Sequence, residues 1–338
     1  MIKFMYENKK ILITGGTGTI GQQLTKRLLR ENPSVIRIFS RDEYKQFNMS
    51  NEFQGDGQKL RYLIGDVRDE DRLVRAMEDI DYVFHLAAMK HVPFCEYNPF
   101  EAVKTNVIGT QNVIQAAMTA GVKKVLFASS DKAISPTNTY GATKLTAERL
   151  ITAAEYQKGP KSTVFASVRF GNVMGSRGSV IPLFKEQILS HRAVTVTDMD
   201  MKRFMMTPSE AITLMLKANQ LAAGGEVFVL KMPVVKLSDL AEVLVEETTR
   251  KYQLTYPVSI NEKGLRPGEK MFEELMTMDE ERIALETEDM YILPSAFSVR
   301  KIAYPGVLTT KNPVSTVFNQ SPIDKELLRR WINEEKLI

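Results

Sequence analysis

Five side chains between Ser129 and Lys144 are of kinds that move protons: Ser130, Asp131, Lys132, Tyr140 and Lys144. Tyr140 and Lys144 share one face of a helix, where an ammonium beside a phenol favours the phenolate and draws its pKa down from about 10. A tyrosine so tuned takes a proton from an alcohol. By itself Tyr-x-x-x-Lys is also an ordinary helix pair, and Asp131-Lys132 by itself is also a solvated surface pair. Place separates the readings. The stretch follows an apolar run, Lys124 to Ala128, that reads as a buried strand, and it leads into a helical pattern from near Tyr140 to about Glu155. Its polar groups therefore gather at a strand's C-terminal end, where open parallel sheets bind ligands.

The elements upstream are those a dinucleotide site needs. Lys10 to Thr14 reads as a first buried strand, and Gly15-Gly16-Thr17-Gly18-Thr19-Ile20-Gly21 follows at once, before a helix with Leu24, Leu28 and Leu29 on one face. Glycines there let the backbone approach a pyrophosphate, whose charge meets the helix N-terminus. A second strand, Val35 to Phe39, ends in Ser40-Arg41 with Lys45 one turn on, where an NAD site usually offers an acidic side chain. Two cations and a hydroxyl fit the 2′-phosphate of NADP; the alternative is a solvated basic patch beside Asp42 and Glu43. A third strand, Leu60 to Ile64, runs into Gly65-Asp66-Val67, where Asp66 meets an adenine amino group or lies on a surface turn.

A fourth strand, Asp81 to Leu86, gives way to Ala87-Ala88-Met89-Lys90-His91. The small residues leave room for a ribose, and Lys90 and His91 then face the substrate cleft. Cys95 reads as a small packed residue, because no base is spaced to serve it. Pro99 to Ala120 reads as one helix closed by Gly121, with Val103, Val107, Val113, Ala116 and Ala117 inward. Asn106 in that stripe is either a satisfied core amide or a group that holds a catalytic water.

Beyond the helix of Tyr140 a sixth strand, Thr163 to Val168, delivers the polar, glycine-rich run Arg169 to Val180, read as a ligand-binding loop. Then the alternation loosens: a short strand at Val194 to Val196, a helix from Pro208 to Ala222, a strand from Glu226 to Leu230, and a helix capped by Ser238 with Leu240, Ala241, Leu244 and Val245 on one face. Arg203 and Gly264-Leu-Arg266-Pro-Gly-Glu269-Lys270 stand out in this half. A guanidinium on a rigid turn before a helix suits a diphosphate, and a nearby carboxylate suits ribose hydroxyls; a plain surface turn is the other reading. Pro322 to Leu337, with Trp331, reads as a final helix for packing or self-association. The expected organisation is an α/β, doubly wound parallel sheet with a smaller mixed α/β substrate-binding cap. Residues 1–175 bind the dinucleotide, 194–232 return to that domain, 176–293 form mainly the cap, and 294–338 a tail and helix.

Composition narrows the class. The chain has 338 residues, enough for a full core, and its 45 basic and 41 acidic side chains are interspersed, which speaks against nucleic acid as a partner. One cysteine forbids an internal disulfide, and with three histidines in the chain no metal-ligand spacing arises. No leader-like h-region and no run of 18 apolar residues is present. A cytoplasmic protein without a membrane span or a metal is expected, as a homo-oligomer.

Together these motifs resemble the extended short-chain dehydrogenase/reductases (Rossmann fold) that act on nucleotide sugars, most closely the soluble, configuration-inverting UDP-N-acetylglucosamine 4,6-dehydratases of bacterial pseudaminic acid synthesis. The likeness runs from about residue 9 to residue 293. It rests on Gly15 to Gly21, Ser40-Arg-Asp-Glu-Tyr-Lys-Gln46, Gly65-Asp-Val-Arg-Asp69, Lys90-His-Val-Pro93, Ser130-Asp-Lys-Ala133 with Tyr140 to Lys144, Arg169-Phe-Gly-Asn-Val173 with Gly175 to Val180, and Arg266-Pro-Gly-Glu-Lys270. Lys202 departs from it, standing where the family shows a small threonine. The resemblance implies tightly bound, recycled NADP and UDP-N-acetylglucosamine as substrate. Tyr140, with Lys144 and Ser130, would take the C4 hydroxyl proton as hydride leaves C4. Lys132, neutralised by burial, would take the C5 proton, and a protonated Asp131 would give a proton to the departing C6 hydroxyl. It also implies nucleotide contacts at Arg266 and Glu269, with Lys90, Asn172, Val180 and Arg203 as further substrate residues. Release of a 5,6-unsaturated sugar, epimerisation, or a non-catalytic NADP sensor are the competing readings.

Overall fold

The structure, a computed structural model, describes residues 5–265, 269–295, 297, 302–308, 316 and 320–338. The first half alternates strand and helix as the periodicity predicts: β1 (Lys10–Thr14), α1 (Thr19–Leu29), β2 (Val35–Ser40), α2 (Glu43–Glu52), β3 (Leu60–Ile64), α3 (Glu70–Met77), β4 (Tyr82–His85), the short helices α4 (Val92–Tyr97) and α5 (Pro99–Val103), α6 (Gly109–Ala120), β5 (Lys124–Ala128), α7 (Thr139–Gln157) and β6 (Val164–Arg169). The second half is mixed: β7 (Asn172–Val173), α8 (Val180–His191), β8 (Ala193–Val196), β9 (Lys202–Met206), α9 (Pro208–Leu221), β10 (Val227–Leu230), β11 (Val234–Lys236), α10 (Leu237–Tyr252), β12 (Ser259–Glu262), α11 (Met278–Ile283), β13 (Leu285–Glu286), β14 (Met290–Leu293) and α12 (Lys325–Glu334).

The main sheet runs β3-β2-β1-β4-β5-β6-β10 in parallel, and β14 and β13 close one edge antiparallel. Strand order reverses between β1 and β4. A crevice opens at such a point, beyond the strands' carboxyl ends. Both faces of the sheet are covered, which is why its strands read as continuous apolar runs. Leu12, Val83, Val125, Phe127 and Phe165 pack on one side with Leu73, Val113, Ala117, Ala147 and Ile151 of the α3, α6 and α7 layer. Their neighbours Ile11, Ile13, Ile38, Phe84 and Leu126 point the other way, against Leu24 and Leu28 of α1 and Ile212 and Met215 of α9. The expected doubly wound sheet is present. A separate cluster joins Ile181 and Phe184 of α8, Leu240 and Leu244 of α10, and Leu328, Trp331 and Ile332 of α12, so Trp331 serves packing within the chain.

Several local expectations fail for identifiable reasons. The helix read as continuous from Pro99 to Ala120 contains a π-helical turn at Lys104–Ile108. The wider turn shifts the buried stripe to Ala102, Thr105, Asn106, Gly109 and Thr110 and leaves Val103 and Val107 half-buried. It also lets Gly109 approach Val67, where an added Cβ would stand 2.7 Å from Cγ2. Helix α8 begins at Val180 and was hidden by the glycine-rich run before it. Ser238 does not cap α10: the helix starts at Leu237, its N-cap is Lys236, and Ser238 is buried in the first turn. No helix follows Glu269 directly; the next one is the single short α11. Strands β9, β11 and β14 were not anticipated; each is five residues or fewer, and β9 opens on Lys202-Arg203.

At the end of β6, fully buried Arg169 ties three segments together. Its guanidinium donates to Glu148 of α7 at 2.6 Å, to Glu280 of α11 at 2.9 Å, and to the Leu275 carbonyl at 2.9 Å. Removing one partner of a buried ion pair leaves an uncompensated charge. Arg169→Met should therefore lower the unfolding free energy, measured by denaturant titration, by about 3–5 kcal/mol. A loss below ~1 kcal/mol would mean the triad contributes no more than a surface pair.

Candidate active site

Two adjoining cavities lie at the carboxyl ends of the parallel strands, and Lys90 and His91 line both. The larger, about 590 Å³, is walled by the β1–α1 loop, the ends of β2, β3 and β4, and Ser176 and Arg177. Gly15 to Gly21 earns its glycines here. Gly15 has φ +68°, and a Cβ on it would stand 2.8 Å from the Ala87 backbone; one on Gly21 would stand 2.5 Å from the Gly16 carbonyl oxygen. Gly18 at the N-cap of α1 brings no side chain to the first turn. A cradle of bare backbone before a helix N-terminus, with Ala87 and Ala88 opposite, fits a dinucleotide diphosphate and ribose. Every expected cofactor residue of that first group, from Gly15 through Ser40, Arg41, Lys45, Asp66 and Val67 to Ala88, lines this cavity; Tyr140 and Lys144 do not.

The two cations at the β2 end are engaged. Lys45 pairs with Asp42, and Arg41 lies 3.8 Å from Asp66, which Arg68 holds at 2.7 Å. Ser40 shares a 2.9 Å hydrogen bond with Thr17. Arg177 was missed in the sequence, where it is one of several polar residues in a loop. Its backbone N–H donates to Thr19 Oγ1 at 3.1 Å, its guanidinium reaches the Thr17 carbonyl, and its own carbonyl accepts from Lys90 Nζ at 2.8 Å. That loop thus straps the glycine turn to the second cavity.

The smaller cavity, about 290 Å³, is lined by Lys90, His91, Asp131, Lys132, Asn172, Arg203, Glu269 and Glu273 among others. Burial, with the Arg177 charge, depresses the Lys90 pKa. Of the expected substrate residues, Val180 is off this wall at the start of α8, packed with the α8–α10–α12 cluster. Arg266 lies outside the described residues. Arg203 is a wall residue with its donors already used: it bonds the carbonyls of Lys202, Lys270 and Met271 and stands 3.4 Å from Glu273 and 3.6 Å from Glu269. It therefore fixes the 269–273 segment. Asn106 is a satisfied amide, clamping both backbone groups of Met89 and donating to Thr143.

Asp131 and Lys132 form a single 3-10 turn after β5 that folds both back into the protein. Asp131 Oδ1 accepts from Ser130 Oγ at 2.6 Å and from the Lys132 backbone at 2.8 Å. Lys132 Nζ lies 3.2 Å from both Asp131 oxygens and 3.1 Å from Glu273 Oε1. Tyr140, 9% exposed, is hydrogen-bonded to Ser130. That contact works to lower the phenol's pKa, while the serine hydroxyl also donates to Asp131. Ser130 thus stands between Tyr140 and Asp131 and touches both.

Two electrostatic expectations are overturned. Lys144 is not the cation that faces the phenol: its Nζ donates to the Ala128 carbonyl at 2.5 Å and lies 4.0 Å over the Phe127 ring. Burial, partly offset by Glu148, pushes its pKa down to about 7. Burial likewise raises Tyr140, against the Ser130 hydrogen bond and the Lys132 charge. Lys132 is not neutralised by burial either. Burial opposes its charge, but Asp131 and Glu273 outweigh it and hold the ammonium above the ordinary lysine range. Glu273 itself, only 5% exposed and raised by burial, was not singled out; it is one of two adjacent acids, Glu273-Glu274, between Phe272 and Leu275, and nothing local tells the buried one from its neighbour.

A family model described as polysaccharide biosynthesis protein matches residues 11–295. The chain belongs to that family. A Campylobacter jejuni protein named UDP-N-acetylglucosamine 4,6-dehydratase (inverting) is 44% identical over 345 aligned positions, covering 99% of this chain and 97% of its own. An uncharacterized membrane protein of Methanocaldococcus jannaschii is 53% identical, over 86% of this chain and 87% of its own. The X-ray structure of Pen from Bacillus thuringiensis superposes with a TM-score of 0.91 at 56% identity, covering 99% of each chain. In this polysaccharide biosynthesis protein no helix among the described residues is long and apolar enough to cross a membrane.

The Lys144 environment carries a measurable sign. Its folded pKa lies near 7, so between about pH 7 and ~10.4 the unfolded chain binds more protons than the folded one. Stability of the ligand-free family member should rise with pH across that window, by up to about 1.4 kcal/mol per unit from this group. Lys144→Met should remove that slope in urea titrations at successive pH values; parallel profiles for the two proteins would refute the shift.

Proposed function

We propose that this chain is a UDP-N-acetylglucosamine 4,6-dehydratase of the C5-inverting kind. The observation that carries the reading is the chain of hydrogen bonds from Tyr140 through Ser130 to Asp131, ending at Lys132 on the wall of a cavity next to the dinucleotide cradle. A general sugar epimerase needs an acid–base tyrosine but has no use for a second acid and amine at the same turn.

A nicotinamide dinucleotide in the larger cavity supplies reversible hydride acceptance. Tyr140 accepts the C4 hydroxyl proton while passing its own to Ser130, which passes its proton to Asp131. The phenol need not ionise beforehand, which agrees with burial raising its pKa. Oxidation at C4 acidifies the C5 proton, which the Lys132 amine removes. Asp131, now protonated, gives its proton to the departing C6 hydroxyl, so the proton first held by O4 leaves with water. When C6 takes back the hydride that left C4 and C5 receives a proton from the opposite face, the inverted 4-keto-6-deoxy sugar results. Lys90 and Asn172 border the space where the hexose and diphosphate would lie.

Ser40, Arg41 and Lys45 favour NADP over NAD, since a 2′-phosphate would draw both cations away from Asp66 and Asp42. Dinucleotide released from the purified protein by denaturation should have the mass of NADP, and Arg41→Ala with Lys45→Ala should shift the retained form toward NAD. Recovery of NAD alone from the unaltered protein would reverse this assignment.

UDP-N-acetylglucosamine incubated with the protein and no added cofactor should lose one water, and in deuterated water the product should carry deuterium at C5. Lys132→Ala and Tyr140→Phe should each abolish turnover while dinucleotide stays bound. An unchanged substrate mass would end the dehydratase reading.

A further inference from the structure

We propose that Glu273 is the positioning residue that takes the proton from Lys132 and so frees that amine to act at C5. The inference rests on the dehydratase reading. It starts from a mismatch between chemistry and geometry: a C5 base needs a lone pair, and Lys132 rests as an ammonium between two carboxylates. Its proton must go to a group within reach before C5 can be attacked.

Two acceptors touch it. Asp131 has to carry the proton that leaves with the C6 hydroxyl, and its 2.6 Å contact with Ser130 supplies that proton from the other side. Glu273 is the remaining acceptor, 3.1 Å from Nζ. It is fixed for the task, its Oε2 accepting from Asn172 at 3.1 Å and from the Phe204 backbone at 3.3 Å. The titratable and charged groups facing this pair are Asp131 beside Lys132 on the 3-10 turn, Tyr140 from α7 and Arg203 from β9. Arg203 opposes protonation of Glu273 but is shared with Glu269. Burial works the other way and favours the neutral acid.

The order of events follows. In the resting site both carboxylates hold Lys132 charged. Once the O4 proton reaches Asp131, one of the two is neutral, and the balance between Lys132 and Glu273 tilts. The N–H bond of the ammonium breaks, the Glu273 O–H bond forms, and the amine keeps its electron pair. The amine then takes the C5 proton, the C–H electrons become the C5–C6 double bond, and the C6–O bond breaks with Asp131 giving its proton to the oxygen. The cycle closes when C6 takes back the hydride and Glu273 returns its proton to the site as C5 is reprotonated. Oxidation thereby arms the base, and elimination does not run ahead of it.

Glu273→Gln keeps the side chain's shape and removes its capacity to take a proton. Under single-turnover conditions it should still bind UDP and still show the near-ultraviolet absorbance of reduced nicotinamide, because C4 oxidation is untouched. Water loss and incorporation of solvent deuterium at C5 should fall ~100-fold or more, the size of a general acid–base contribution. Residual turnover should climb with pH, since Lys132 must then lose its proton to solvent, and KM should change little. Glu273→Asp should restore the wild-type shape of the pH profile. Wild-type exchange and an unchanged pH profile in Glu273→Gln would overturn the proposal, as would loss of UDP binding in both variants, which would make Glu273 a scaffold. If the unaltered protein itself removes no water, the dehydratase reading fails with it, and that outcome is visible before any variant is made.

Discussion

Lys132, its side chain 29% exposed, can be drawn part-way out of water only if opposite charge is buried beside it, and that requirement organises the site. Moving an ammonium out of water costs several kcal/mol, which is recovered only through well-placed partners. One partner, Asp131, is its neighbour in sequence. The other, Glu273, lies 141 residues away on a segment with no regular structure of its own. The turn after β5 and the segment from Glu269 to Leu275 must therefore meet, and the cavity is the space they enclose. Arg203 then follows as a consequence: two glutamates on that segment need a cation, and its guanidinium meets both while holding the carbonyls of Lys270 and Met271.

A second buried charge enforces the same meeting from behind. Arg169 leaves β6 just before the polar loop and bonds Glu148 of α7, Glu280 of α11 and the carbonyl of Leu275. Helix α7 carries Tyr140 and Lys144, and Leu275 is two residues past Glu273. The tyrosine and the distant glutamate are thereby referenced to one side chain. Local propensity could not do this, since residues 270–277 carry no helix or strand and are held by these bonds and by burial of Leu275 and Met276 in the core. Asn106 plays a smaller part of the same kind, fixing Met89 and Thr143 so that the strand end carrying Lys90 and the helix of Tyr140 keep their spacing.

What the sequence made legible was whatever depends on neighbours along the chain. The glycine turn, the alternation of apolar strands with amphipathic helices, and the placement of Asp131 and Lys132 at a strand end are local patterns, and the fold follows them. The rest is set by tertiary contact. The π-helical turn at Lys104–Ile108 answers to Gly109 packing on Val67, and a 3.6-residue period cannot express it. Lys144 has the spacing to face Tyr140, yet the Ala128 carbonyl and the Phe127 ring lie nearer and hold it. Charge state failed for the same reason. The Lys132 side chain is only partly buried, and the sign of its shift depends on Asp131 and on Glu273, the latter adjacent only in space.

The direction of the hydrogen bonds gives the site its logic. Ser130 donates to Asp131 at 2.6 Å, its oxygen accepts from the Lys132 backbone at 3.2 Å, and Tyr140 is its neighbour on the other side. In the reaction proposed above, a proton entering at the phenol passes through Ser130 to Asp131, and no ionised tyrosine is needed in a pocket whose burial disfavours one. Each transfer along the line also lowers the negative charge around Lys132, whose ammonium has been held in place by that charge. A pair of buried carboxylates that looks like a trap for a base is, on this account, a latch: it stays closed while both are ionised and opens when the alcohol at C4 has given up its proton.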